Sequence, residues 1–257
     1  MKLLKPAILL VKASIKKDLK SPLFVLISIL TPQAYSVAFV AQIIINYQIN
    51  PNAFHNLPIE YYFTALFVSQ TIVFTSWERS PRELAKQVLT SEIDLILLKP
   101  INLFYYKYFR GYNMMVPIMI TFYLCSLLIA FYLAKLPLII LFKLLLLIVL
   151  GTLIKLNLRT GLRGFVFFNR NALNTVLLEE SMDGLTQNRP PEIFPTPIKI
   201  FLTFFLPYIL FNNSAFDIVR SLNTSFLWIV ILSWTVIAML FNHFVWSIGL
   251  KRYESYG

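Results

Sequence analysis

The chain has little of what soluble catalysis uses. Of its 257 residues, one is cysteine, two are histidine, seven are glycine and 14% are charged. The single cysteine, Cys125, lies in an apolar run, which excludes an intramolecular disulfide and a cysteine-based metal cluster. His55 and His243 stand far apart in sequence, and neither belongs to a His-Glu-x-x-His pair. There is no Gly-x-Ser-x-Gly nucleophile elbow, and no Gly-x-x-x-x-Gly-Lys-Ser/Thr loop with which the chain could cradle a nucleotide phosphate itself. The one imaginable metal set is the carboxylate group Glu179, Glu180 and Asp183.

What the chain does have is apolar surface: 58% of residues are apolar, 16% are aromatic and the mean hydropathy is +0.69. A soluble domain has an apolar share of ~45–50%, so the chain reads as an all-α integral membrane protein. A formal net charge of +11 could suggest nucleic acid. The basic residues, however, fall in short clusters between apolar runs, a pattern that reports membrane topology and excludes a nucleic-acid face.

Residues 1–22 place Leu4, Ile8, Val11, Ile15 and Leu19 on one helical arc and six lysines on the other, with Leu9 and Asp18 as exceptions. This predicts an amphipathic helix lying in the membrane surface with its cations toward anionic headgroups. A signal peptide ending near Ser36-Val37-Ala38 is the rival reading. Its basic part would be too long, and the apolar stretch after it fills a whole span.

Apolar runs long enough for a hydrocarbon core of ~20 helical residues predict spans at about 23–45, with a kink at Pro32, and at 59–77, 111–133, 138–158 and 224–248. Residues 46–58 carry no Lys or Arg and read as an outside loop. Ala134-Lys135-Leu136-Pro137 reads as a tight outside turn, and Lys143 as a cation snorkelling outward. The fifth crossing has two readings. Either 198–219 spans the membrane and 159–197 is cytoplasmic, or a polar span lies near 166–187 and 198–219 dips into the outer leaflet. In the second, Glu179 and Asp183 share a helical face inside the membrane, where ionisable groups mark a polar path; in the first they are a solvated face. Both readings give six crossings. With the polar fifth span, 18 of the 23 basic residues fall inside, so both termini are predicted cytoplasmic.

The longest polar stretch among the early spans runs from Trp77 to Arg110. Ser80-Pro81-Arg82-Glu83 is a helix start, with Ser80 as cap, Pro81 at the first helical position and Glu83 reaching back. Ser91-Glu92-Ile93-Asp94 repeats the pattern and predicts a second short helix ending before Lys99-Pro100. Leu84, Val88 and Leu89 would face the bilayer or neighbouring helices, leaving Glu83, Lys86 and Gln87 to water or a partner.

The segment from Trp77-Glu78 through RSPRELAKQVLTSEIDLILLKPINLFYY resembles the permease subunits of bacterial type-2 ATP-binding-cassette exporters. The likeness extends through Ala172–Leu177 with Glu179, Ile193-Phe194-Pro195 with Ile198-Lys199, Leu202-Thr203-Phe204 with Pro207, and the tail Gly249–Tyr253. The chain departs from that pattern in its density of polar residues from Asn169 to Arg189 and in Asn212-Asn213.

The resemblance implies a single permease domain over 1–257 that pairs with a second copy or a paralogue in the cytoplasmic membrane. It implies ATP and Mg held by a separate ATPase subunit, with no cofactor in this chain and membrane lipids as the surroundings. It implies contacts with the ATPase through residues 1–22 and the coupling segment 78–110, for which Glu78, Arg82, Glu83, Leu84, Leu89 and Asp94 are the candidates. It favours a polar fifth span, with Asn174, Glu179 and Asp183 on the substrate path, followed by a re-entrant outer hairpin at 198–219. A channel or scaffold, and an intramembrane enzyme acting on lipid, are the rival classes; the first lacks a filter motif and the second a nucleophile or metal set.

Overall fold

The computed structural model describes residues 12, 15–49, 58–76, 87–88, 90, 92–98, 115–168, 177, 181, 195–204, 207–220 and 224–253. All regular secondary structure among them is helical: α1 (Pro22–Ile49), α2 (Ile59–Thr75), α3 (Asp94–Leu97), α4 (Met115–Leu133), α5 (Leu138–Gly164) running into a 3-10 turn (Phe165–Phe167), α6 (Thr196–Phe204), α7 (Tyr208–Val219) and α8 (Ser225–Arg252). Helix is the form expected in lipid, where each backbone group must find its partner within its own segment.

Four of these helices are long and apolar enough to cross a membrane: α1, α4, α5 with its 3-10 extension, and α8. α2 has 17 residues, a length of about 25 Å at 1.5 Å per residue. The span predicted near 166–187 lies almost wholly outside the described residues, and the stretch predicted at 198–219 is the pair α6 and α7, broken at Pro207.

Helix ends follow local chemistry. Ser21 precedes Pro22, and Ser21 Oγ accepts the backbone N–H of Phe24 at 3.4 Å. That is a capping serine followed by proline at the first helical position. α1 then continues as one helix through position 32 to Ile49, beyond the predicted limit near 45. α4 and α5 are joined by the predicted tight turn. Lys135 adopts φ 51°, the left-handed region that ends many helices, and Pro137 precedes the first residue of α5.

α2 is the hub. Eleven of its residues are buried, from Tyr62 to Phe74, and it packs against α4, α7, α5 and α1. Its polar side chains are compatible with this position because several close on their own helix. Thr64, Thr71 and Thr75 donate to the carbonyls of Glu60, Phe67 and Thr71 at 2.8, 2.7 and 2.6 Å. α1, by contrast, turns Leu23, Leu26 and Val37 outward at 66%, 52% and 70% exposure.

α5 and α8 form the most extensive helix pair, and they run parallel. Moving along α5 from Asn157 to Thr160, the partner on α8 advances from Asn242 to Trp246. A Cβ on Gly161 would meet Phe241, one on Gly164 would meet Val245, and Gly249 faces Phe167 just past the end of α5. Close backbone approach at small residues is how membrane helices pack. Parallel order has a topological consequence: α5 and α8 begin at the same end, so residues 169–224 must carry the chain back along the bundle.

α7 accounts for part of that return. Its Phe216 packs on Tyr62 with ring centroids 4.7 Å apart, and its Phe211 approaches Gly151 alongside Ile72. α7 is therefore antiparallel to α2, and it reaches only the midpoint of α5. With 12 residues it spans about 18 Å. α6 has its main contact with α7.

Candidate functional site

The far ends of α5 and α8 gather the features that point to function. Lys251 and Arg252 close α8, and because the two helices are parallel, the basic residues at the end of α5 lie at the same end. The predicted coupling segment docks there. Val88 and Ile93, at 4% and 0% exposure, belong to one apolar cluster with Val166, Phe167 and Trp246, flanked by Phe165, Leu250 and Tyr253. Phe167 sits edge-on to Trp246 at 5.4 Å and to Tyr253 at 5.9 Å. Arg252 lies over the Phe168 ring at 5.9 Å.

Within the segment, Gln87 O accepts the backbone N–H of Ile93 at 3.2 Å, closing a compact turn ahead of α3. α3 spans Asp94–Leu97, and Leu98 N–H returns to Asp94 O. This agrees with the second short helix expected before Lys99-Pro100. The opposite side of the turn is open: Leu95 and Leu98 are 68% and 83% exposed, and Glu92 is exposed. The segment thus has an apolar face seated on the helix ends and an apolar edge turned away from them.

Of the predicted coupling residues, Asp94 is half-buried at the start of α3 and already engaged by a partner. Glu78, Arg82, Glu83, Leu84 and Leu89 lie outside the described residues, as do the predicted path residues Asn174, Glu179 and Asp183, and His55 of the first loop. Of the amino-terminal helix, residues 12 and 15–20 are described. Lys16, Lys17, Leu19 and Lys20 are exposed, Leu19 at 54%, and Asp18 is 5% exposed and engaged. Asp18, an exception to the two-sided pattern in the sequence, is the residue of this last turn before α1 that faces into the protein.

Three basic residues toward the end of α5 are buried in the protein. Lys155, Arg159 and Arg163 are 2%, 7% and 6% exposed, and each has an interaction partner. Their spacing of four puts them on one stripe of α5, and that spacing is the signal that could have marked them as a unit. Buried cations are kept only when paired or hydrogen-bonded, so this stripe is an internal electrostatic seam. Beside it, Asn242 Nδ2 donates to Asn157 Oδ1 at 2.9 Å and Trp246 Nε1 donates to Thr160 O at 2.7 Å. These two cross-links tie α5 to α8, and nothing in sequence pairs them. His243 is exposed on α8, and no group of three metal-ligating side chains occurs among the described residues.

The end of the bundle thus combines a docked surface segment, an aromatic clamp and a buried cation stripe, with no reacting constellation among the described residues. No curated protein and no solved structure matches the chain. The family described as ABC-2 family transporter protein matches residues 55–257, taking in the coupling segment, α5, α8 and the broken pair between them. The chain is a membrane transport component and belongs to the ABC-2 transporter family.

Proposed function

We propose that this chain is the permease subunit of an ATP-driven exporter, working as a dimer with a second copy or a paralogue and powered by a separate ATPase that holds ATP and Mg. The observation that carries this reading is the seating of Val88 and Ile93 against Phe167 and Trp246. A segment buried on the ends of two cross-linked helices cannot move without moving them. ATPase closure would press on the segment 78–110, and the α5–α8 pair would answer as one body between two packings of the bundle.

The remaining topology follows the same reading. Six crossings put both termini in the cytoplasm, and the parallel pair supports this by collecting the basic ends of α5 and α8 on one side. A polar fifth span from the region of residues 166–187 would bring Asn174, Glu179 and Asp183 onto the path. α6 and α7 would be the re-entrant outer hairpin, consistent with an α7 that reaches only half the depth of α5. Glu78, Arg82, Glu83, Leu84, Leu89 and Asp94 are the proposed contact set, together with residues 1–22. The partner's hydrolysis supplies the energy, and this chain supplies shape and coupling.

Copurification tests the reading. An ATP-binding-cassette ATPase should come down with the tagged chain, and the paired charge reversal Arg82→Glu with Glu83→Lys should separate ATP hydrolysis from export. A chain that copurifies with no ATPase, or a reversed pair that exports normally, would overturn it.

A further inference from the structure

Arg220 is the residue the transport reading leaves unexplained. It caps the C-terminal end of α7, where its backbone N–H donates to Phe216 O at 2.9 Å, and its guanidinium carbon lies 6.0 Å from the centroid of the Phe216 ring. Phe216 is in turn pressed on Tyr62. The side chain is half-buried, yet Nε and Nη2 are both shut off from solvent and neither has a hydrogen-bond acceptor. Asp217, one turn earlier, has an interaction of its own, and no carboxylate pairs with Arg220 among the described residues.

The identity of the two orphan donors matters. Nε–H and the outer Nη2–H form one edge of the guanidinium, and that edge is the fork that grips two oxygens of a phosphate or carboxylate at once. A buried charge left without acceptors is costly, and such groups ordinarily occur only where something satisfies them. Arg220 precedes the first turn of α8 by a few residues, so it lies at the end of the bundle opposite Lys251 and Arg252.

We infer that Arg220 is a phosphate-binding residue at the outer mouth of the permease, taking a phosphate group bidentately through Nε and Nη2. Calling this end the outer one rests on the export-permease reading; the binding itself does not. The edge is covered in the described packing, so the phosphate reaches it when α7 shifts on α2. A phosphate ligand therefore favours the shifted packing, because only that packing offers the fork its acceptor. Two sources share this chemistry: a lipid headgroup of the surrounding leaflet, and a phosphate compound arriving from water or as cargo.

The test uses the full-length chain in its membrane complex, in neutral detergent at constant ionic strength. Thermal stability is followed against inorganic phosphate and against short-chain phosphatidylglycerol. Wild type should be stabilised by at least one of them. Arg220→Gln should lose the response, and Arg220→Lys, which keeps the charge but not the fork, should need roughly tenfold more ligand. A response to both probes identifies a soluble phosphate site, and a response to the lipid alone identifies a headgroup site. Equal responses in wild type and Arg220→Gln overturn the inference. Arg220→Met checks the ligand-free state: a Tm that is unchanged or raised fits an unsatisfied fork, whereas a large drop means the guanidinium is a structural support and overturns the inference as well. Either failure with the ATPase still copurifying leaves the export reading standing.

Discussion

α1 and α2 are consecutive helices that meet their surroundings in opposite ways. α1 is 28 residues long and overwhelmingly apolar, yet it touches the rest of the chain through a thin stripe that includes Ser28, Ser36 and Ile43. α2 is shorter and carries Glu60, Thr64, Ser69, Gln70, Thr71 and Thr75, yet it is surrounded by four other helices. In water the greasier helix would be the inner one. In a bilayer, lipid tails solvate apolar side chains as well as a protein core does, so hydropathy ceases to sort helices inward. Polar side chains do the sorting instead, because the interior is where they find partners.

The largest effect expected from this contrast is a difference between two truncations. Ile72 on α2 is 1% exposed and Leu26 on α1 is 52% exposed. Ile72→Ala should cost about 2–5 kcal/mol, since it leaves a cavity where α2, α5 and α7 meet. Leu26→Ala should stay within about 0.5 kcal/mol in the isolated chain. Thermal unfolding of the purified chain in detergent measures both, and equal losses would show that α1 is as much a core helix as α2.

A second test probes that meeting point from the other side. A Cβ on Gly151 would sit 2.7 Å from Ile72 Cδ1 and 3.1 Å from Phe211 Cδ1. Gly151→Leu should therefore cost about 1–3 kcal/mol through overpacking. Combined with Ile72→Ala it should cost less than the sum of the two, because the new side chain fills the new cavity, with a coupling of at least about 0.5 kcal/mol. Strict additivity in the same unfolding assay would place Gly151 away from Ile72 and undo the hub.

These contacts mark how far the sequence could be read. Long apolar runs located α1, α4, α5 and α8, and Lys135 with Pro137 located the tight turn. Each is a local property of the backbone or of average polarity. What pairs with what is not local. The parallel order of α5 and α8 depends on Asn157 meeting Asn242 and on Gly161 and Gly164 admitting Phe241 and Val245, contacts about 80 residues apart in the chain. Lys155, Arg159 and Arg163 count toward topology in the sequence, and only the packed bundle reveals that their side chains are buried against protein. At the coupling segment, Leu84, Val88 and Leu89 were the expected apolar face. Val88 and Ile93 are the pair seen seated, while Leu95 and Leu98 on the next turn point away. A four-residue helix is too short for apolar spacing to choose a face.

A third test concerns the tie between the two parallel helices, where a polar contact does in α8 what polar residues do in α2. Trp246→Phe removes the donor to Thr160 O at 2.7 Å and part of the ring buried beside Phe167. The expected loss is about 1–2 kcal/mol, most of it from the orphaned contact and lost packing. Its readout is the same unfolding midpoint, and no change would mean that the glycine contacts alone hold the pair.

The smallest effects should differ in sign between α1 and α2. Thr71 on α2 donates to Phe67 O at 2.7 Å within its own helix, so its hydroxyl is satisfied wherever the helix goes. Thr71→Val keeps the shape and should cost no more than about 0.5–1 kcal/mol, since membrane hydrogen bonds average near the low end of that range. Ser28 on α1 is fully buried, and its Oγ has no hydrogen-bond partner. Ser28→Ala removes a polar atom that the fold leaves unsatisfied, so it should be neutral or stabilising by up to about 1 kcal/mol. The isolated chain in detergent and the assembled complex then separate two uses of that hydroxyl. A gain in both means that Ser28 does nothing but occupy space. A gain in the isolated chain that turns into a loss in the complex means that assembly repacks α1 so that the buried hydroxyl gains a partner.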